Sequence, residues 1–247
     1  MRAQRATLAA AILAALLLAL AGPGVRLGLW SFRGGFTAME WAAYLALAAA
    51  GLALLQLVLT RARGGRPWLL IGALAIGLAT AYFPWWWRRR AAQVPAIHDI
   101  TTDTQDPPAF QAVLRLRADA PNPATYGGPE IAAQQQQAYP DIRPLDLPAT
   151  PPADAFRLAL DAARAAGWAI DAADSAEGRV EATATTAWFG FKDDVVVRIR
   201  PSGTGSRVDV RSVSRVGKSD VGTNAARIRG YLRRVAAADG VAVPRPS

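Results

Sequence analysis

The 247-residue sequence predicts an α+β protein: three N-terminal transmembrane helices, then an α-β-β-β-β-α domain whose four-stranded antiparallel sheet is covered on one face by two helices. Three observations predict it. The first 90 residues hold three apolar runs close to bilayer length. Four strand-length segments follow one another between residues 168 and 214, three of them alternating apolar and polar side chains. Stripes with the 3.6-residue period of an amphipathic helix flank those segments on both sides.

Composition sets the frame. Residues 1–90 carry ten Arg against one acid, Glu40, whereas residues 91–247 carry eighteen basic and eighteen acidic side chains. The net charge of +9 therefore belongs to the first third. A neutral C-terminal region lacks the basic excess of a nucleic-acid-binding domain, so no nucleic-acid partner is expected. The absence of Cys excludes disulfides, thiol nucleophiles and Cys-ligated metals, and the single His excludes any site that needs two. No cofactor and no metal site is expected.

The apolar runs at 6–21, 39–60 and 68–87 correspond to helices of about 24, 33 and 30 Å at 1.5 Å per residue, against a hydrocarbon core of about 30 Å. Six of the eight Trp lie before residue 91, and most mark the ends of runs, as an interfacial belt does. The first run admits two readings. Arg2 and Arg5 before it, and Ala19-Leu20-Ala21 after it, fit a cleaved signal peptide. Pro23 and the length of the run fit an uncleaved anchor, which is the reading adopted. Either way the loop at 61–66 falls inside and residues 91–247 outside. That is the topology of a multi-pass protein of the bacterial inner membrane with a periplasmic C-terminal domain. Arg88–Arg90 would then lie outside, against the positive-inside tendency, which leaves five Arg on each side and keeps a cytoplasmic C-terminal domain open as a third reading. The spans carry only Gln56, Thr80 and small residues such as Ala46, Ala50, Ala73 and Gly77, which suit close helix packing rather than transport. The bilayer is the first expected partner, and residues 1–90 form the anchor.

Residues 91–152 hold eleven of the seventeen Pro. Pro fixes φ and removes a donor, so an extended arm over 91–150 is expected, wrapping the domain through apolar anchors such as Ile100, Phe110 and Tyr139, with one short helix near 108–116. The domain proper, 151–240, opens with Thr150-Pro151-Pro152, a cap followed by Pro in the first turn. Phe156, Ala159, Leu160 and Ala163 continue that helix to Gly167. Strands are expected at 168–171, 179–185, 195–200 and 207–214, with one sheet face buried and one wet. Ser219-Asp220 caps the last helix, whose stripe is Val221, Ala225, Ile228, Leu232 and Val235. Short connections make the sheet antiparallel, and this order is helix-grip-like.

His98-Asp99-Ile100-Thr101-Thr102-Asp103, Tyr139-Pro140, Gly190-Phe191-Lys192-Asp193-Asp194, and the long block from Asp209 through Arg211, Ser212, Ser214, Arg215, Gly217, Ser219, Asp220, Gly222, Asn224 and Arg227 to Ile228 resemble the domain-of-unknown-function family 1499 of bacteria and plants, over residues 96–236. The resemblance implies membrane association. It supplies no catalytic residues.

Several constellations invite a chemical reading. Gly217-Lys218-Ser219 sits between a strand and a helix, but a phosphate-binding loop needs Gly five residues earlier, where Ser212 stands. Arg211, Arg215, Lys218, Ser219 and Asn224 form a candidate anion or ligand corner at a helix N-terminus; helix capping and internal ion pairing is the alternative. Trp188, Phe189 and Phe191 form a candidate membrane-facing loop, or else a cap on the sheet core. His98 beside Asp99 and Asp103 lacks a placed nucleophile, and Asp193 and Asp194 point to opposite faces of a strand. The leading expectation is a non-catalytic binding or scaffolding domain facing an envelope protein or a lipid headgroup. The alternative is a membrane-tethered, hydrolase-like enzyme acting on an anionic envelope substrate. An enzyme gathers the corner groups around a cleft with a base. A binding module occupies them internally and exposes an apolar patch.

Overall fold

A computed structural model describes residues 1–61 and 67–241, which fall into two compact units: Met1–Ala92 with Ala187–Gly190, and Gln93–Thr186 with Phe191–Ser247. The loop 62–66, on which the orientation argument leans, lies outside the described residues.

The first unit is built on α1 (Arg2–Arg26), α2 (Phe32–Arg61) and α3 (Trp68–Ala92). All three are long and apolar enough to cross a membrane. Their cores are small side chains: Ala11, Ala49, Ala53 and Ala73 meet in one cluster, and Ala14, Ala46 and Ala81 in another. Without a hydrophobic drive between helices in lipid, close approach is what holds such a bundle together. Gly77 makes that approach possible, because a Cβ there would stand 2.7 Å from the Ala46 carbonyl oxygen and 3.0 Å from Ala50 Cβ. Two of the polar exceptions bond each other across helices. Gln56 donates to Thr7 Oγ1 at 2.9 Å, and Thr7 donates back to the Ala3 carbonyl.

The second unit contains β1 (Asp99–Thr101), a 3₁₀ turn (Ala112–Arg117), α4 (Gly128–Ala138), β2 (Leu145–Leu147), α5 (Pro152–Ala165), β3 (Ala169–Asp174), β4 (Arg179–Thr185), β5 (Lys192–Ser202), β6 (Gly205–Ser214) and α6 (Thr223–Asp239). The sheet is antiparallel in the order β1-β6-β5-β4-β3, with β2 also pairing β6. β1 takes the 211–213 end of β6 and β2 the 206–208 end. The sheet thus has six strands, not four, and both additional strands come from the Pro-rich arm. Each is only three residues long, too short to show a periodicity.

Val180, Ala182, Val195, Val197, Ile199, Val208 and Val210 project to the face packed by α5 and α6. Tyr231 anchors that layer: its ring stacks on Trp168 at 4.8 Å, and its hydroxyl donates to the Ala159 carbonyl at 2.8 Å. The other sheet face, expected to be wet, is covered. Phe110 and Val113 of the arm pack there on Val196 and Val213. The arm is also more regular than its Pro content implies. α4 starts with Pro129 in its first turn and runs through the Gln tract. Gln135 is buried, and its amide accepts from the Thr101 N–H at 2.9 Å and donates to the Thr101 carbonyl at 2.7 Å, pairing the open edge of β1 as a strand would.

Two capping expectations change. Thr150 does not cap α5 but donates its hydroxyl to Asp239. Val221 precedes α6 instead of joining its stripe, with φ of +53°. The N-cap of that helix is Gly222, and Asp220, two residues earlier, reaches in to accept from the N–H groups of Gly222 at 2.9 Å and Asn224 at 2.6 Å.

Gly77→Leu is expected to lower the thermal unfolding temperature of the detergent-solubilised chain, by the equivalent of about 1–3 kcal/mol for overpacking. Gly51→Leu, at a position with open space around it, is not expected to lower it.

Candidate functional site

The residues that carry chemistry lie on the covered outer face of the sheet. Odd-numbered β6 positions and even-numbered β5 positions project there, opposite to the aliphatic set, because strand side chains alternate. Glu181, Asp194 and Asp209 have no exposed surface on this face. A buried carboxylate is tolerated only when paired and hydrogen-bonded, and each of the three is.

Glu181 accepts from the N–H groups of Gln111 at 2.9 Å and Val113 at 3.0 Å, and pairs with Arg179 at 3.1 Å. Asp194 pairs with Arg117 at 3.0 Å and Arg215 at 2.7 Å. Asp209 meets Arg198 at 3.1 Å, Arg200 at 2.9 Å and Arg207 at 3.2 Å. Asp103 lies 3.3–3.5 Å from the same three guanidinium groups.

Of the expected ligand corner, Arg211 is buried in a two-pronged pair with Asp99, at 2.9 and 2.7 Å. Its remaining N–H groups donate to the carbonyls of Pro108 at 3.2 Å and Ala124 at 2.7 Å. Its guanidinium lies 5.0 Å from the Phe110 ring centroid and 5.5 Å from that of Tyr126. Arg215 is held by Asp194 and Thr183 Oγ1. Asn224 donates to the His98 carbonyl and Ser214 Oγ at 3.0 Å each and accepts from Ser212 Oγ at 2.8 Å. Ser219 Oγ accepts from the Val221 N–H at 3.1 Å and donates to the Pro95 carbonyl. Lys218 is exposed. The five residues therefore do not converge. Arg211 and Arg215 project from the outer sheet face, while Ser219 and Asn224 organise the start of α6.

Asp193 and Asp194 separate to opposite faces as strand geometry requires, Asp193 taking Arg227 at 2.5 Å. His98 contributes its backbone carbonyl, which accepts from Ser214 N–H at 3.0 Å as well as from Asn224. Trp188 and Phe189 belong to the first unit. Phe189 is buried 5.2 Å from the Phe36 ring, and Trp188 meets Phe83 edge-on at 5.3 Å. A Cβ at Gly22 or Gly35 would collide with these two rings. Phe191 lies in the second unit, where its N–H donates to Thr186 Oγ1 at 2.9 Å.

Burial also moves protons. The Tyr126 hydroxyl is pushed up to about 12 by burial, with the Asp99 carboxylate adding to it. Burial raises Asp220 above the usual carboxylate range despite its two N–H donors. Arg229, bonded to Asp141 at 2.5 and 2.6 Å, holds that carboxyl below its usual range. Sequence reasoning missed the roles of Asp99, Glu181 and Arg117, whose partners lie 68 to 112 positions away. The one available signal was Glu181 and Arg179 on one face of a β-period segment.

Removing one member of a buried pair strands the other charge, at a typical cost of about 3–5 kcal/mol. Asp99→Ala is expected to lose stability in that range by chemical denaturation. Asp99→Ala combined with Arg211→Met should recover most of the loss.

No curated protein and no solved structure matches the chain. A protein-family comparison matches residues 99–235, which covers β1 through most of α6 and more than half of the sequence. With its sheet, α4, α5, most of α6 and the charged arm interface inside those limits, the chain belongs to the family described as protein of unknown function, DUF1499.

Proposed function

We propose that this is a multi-pass protein of the bacterial inner membrane that holds a non-catalytic binding or scaffolding domain in the periplasm. One observation carries the non-catalytic part. Arg211, Arg215, Ser219 and Asn224, the groups an enzyme acting on an anionic substrate would use, are occupied by Asp99, Asp194, Pro95 and His98. A guanidinium already bonded to a buried carboxylate and two carbonyls has nothing to offer a developing negative charge.

An exposed apolar pair supports the binding reading. Leu114 and Leu116, at the 3₁₀ turn, are 46% and 47% exposed. They are the large hydrophobic side chains that the second unit leaves open among the described residues. An envelope protein is the partner class we propose for this turn.

The side of the membrane follows from three spans with an inside N-terminus. Ala11 and Ala14 of α1 sit in the helix-bundle cores, which favours a retained anchor over a cleaved signal. The chain contains no Cys, so Lys218→Cys places one reporter thiol at an exposed position with no background. Labelling of this variant by a membrane-impermeant maleimide is expected in intact spheroplasts, at the level reached after lysis. Labelling only after lysis would place the domain in the cytoplasm and refute the reading.

A further inference from the structure

We propose that the helix bundle carries a specific site for an acidic phospholipid, with an acyl chain in a groove between α1 and α3 and the headgroup phosphate on Arg88–Arg90. The inference rests on the membrane reading above and goes beyond it by assigning a ligand and its residues.

The groove is lined by Ala15, Leu18 and Ala19 of α1, by Ala79, Thr80 and Phe83 of α3, and by Trp188. It is a shallow furrow, open along most of its length rather than an enclosed cavity. Small side chains at Ala15, Ala19 and Ala79 leave a furrow between the two helices. Trp188 closes one end, with its indole N–H 3.5 Å from the Ala19 carbonyl and its ring edge-on to Phe83. The walls are apolar apart from Thr80 Oγ1 and that indole, which is the lining an alkyl chain requires.

The charge stands one helical segment beyond. Phe83 and Arg88 are five residues apart on α3, about 7.5 Å along the axis. Between them runs Pro84-Trp85-Trp86-Trp87, the residue type that settles at headgroup depth. Arg89 lies 4.4 Å from the Trp85 ring centroid and Arg90 lies 5.6 Å from that of Trp86, so the indoles hold these cations at one level. Arg88, Arg89 and Arg90 join none of the ion pairs among the described residues, in contrast to the saturated guanidinium groups of the second unit. The first unit holds one carboxylate, Glu40, which accepts from the Tyr44 hydroxyl at 3.0 Å. Three adjacent exposed guanidinium groups attract anions, and an anion that also brings an apolar tail to the groove is a phospholipid with net negative charge. The same site gives the triple-Arg run a role on the side where the positive-inside tendency does not place it.

The test uses the full-length chain, reconstituted in equimolar phosphatidylglycerol and phosphatidylcholine, released into mild detergent and weighed intact by native mass spectrometry. The wild-type chain is expected to retain one phosphatidylglycerol over phosphatidylcholine by roughly tenfold or more. Replacing Arg88, Arg89 and Arg90 together by Gln should abolish the preference while leaving the helix content unchanged by circular dichroism. Ala19→Leu with Ala79→Leu fills the groove from two exposed positions and should reduce retention of both lipids at least fivefold. Equal retention of the two lipids by the wild type, retention indifferent to both sets of substitutions, or a second copy of the chain in place of lipid would each overturn the proposal. Recovery of the chain in the soluble fraction before reconstitution would refute the anchor itself, and the site with it. Retention by a chain whose Lys218→Cys thiol proves cytoplasmic would leave the lipid site standing and refute only the periplasmic placement.

Discussion

The C-terminal domain depends on the neutralisation of charge buried on the outer face of its sheet. Glu181, Asp194 and Asp209 are fully enclosed there, and taking an ion out of water costs several kcal/mol even after the protein relaxes around it. The arm supplies the compensation: two backbone N–H groups for Glu181 and the Arg117 guanidinium for Asp194. β1 contributes Asp99, which in turn neutralises Arg211. Without its arm the sheet loses the partners of these buried carboxylates, and the arm's own elements are held by the sheet, β1 and β2 by β6 and α4 through Gln135 on Thr101. The Pro-rich stretch is therefore part of the fold, which accounts for a family match beginning at residue 99.

This arrangement also bears on function. Arginine in a domain of balanced charge invites the idea of an anion site, and Arg211 and Arg215 sit where a sequence motif made that idea attractive. Their geometry answers differently. Arg211 uses a bidentate carboxylate, two carbonyls and two aromatic faces, which is the set of contacts a guanidinium makes when it is a structural post. The arginines at the end of α3 have the opposite character: all three are exposed and adjacent, Arg89 and Arg90 lie over indoles, and none joins an ion pair among the described residues. Two classes of Arg thus coexist in one chain, one serving the fold and one available to a ligand.

How much of this was legible in the sequence varies with the range of the interaction. Hydropathy placed the three long apolar helices, and period-two alternation placed β4, β5 and β6, because both signals are local. Asp220 was readable as an acceptor for the start of α6 for the same reason. β1 and β2 were not, since three residues carry no period, and α4 was hidden because a Gln tract has no apolar stripe. Alternation on β5 and β6 showed that the two faces differ, but polar side chains are compatible with water or with a covering layer of opposite charge. Only contacts across many positions distinguish these, as between Val113 and Glu181 or Asp99 and Arg211. The candidate corner failed for a related reason: sequence neighbours on β6 and α6 lie close together, yet each had a distant partner that a single sequence does not reveal.

The most direct measurement is native-state amide hydrogen exchange of the full chain at Gln111 and Val113, whose N–H groups bond Glu181 beneath the arm. The account predicts that both exchange as slowly as the central amides of β5 and β6, such as Val197 and Val210, because the arm opens only when the sheet does. Exchange of Gln111 and Val113 at the rate of exposed turn amides such as Gly203 would contradict it, and would return the arm to the status of a spacer lying on an otherwise self-sufficient domain.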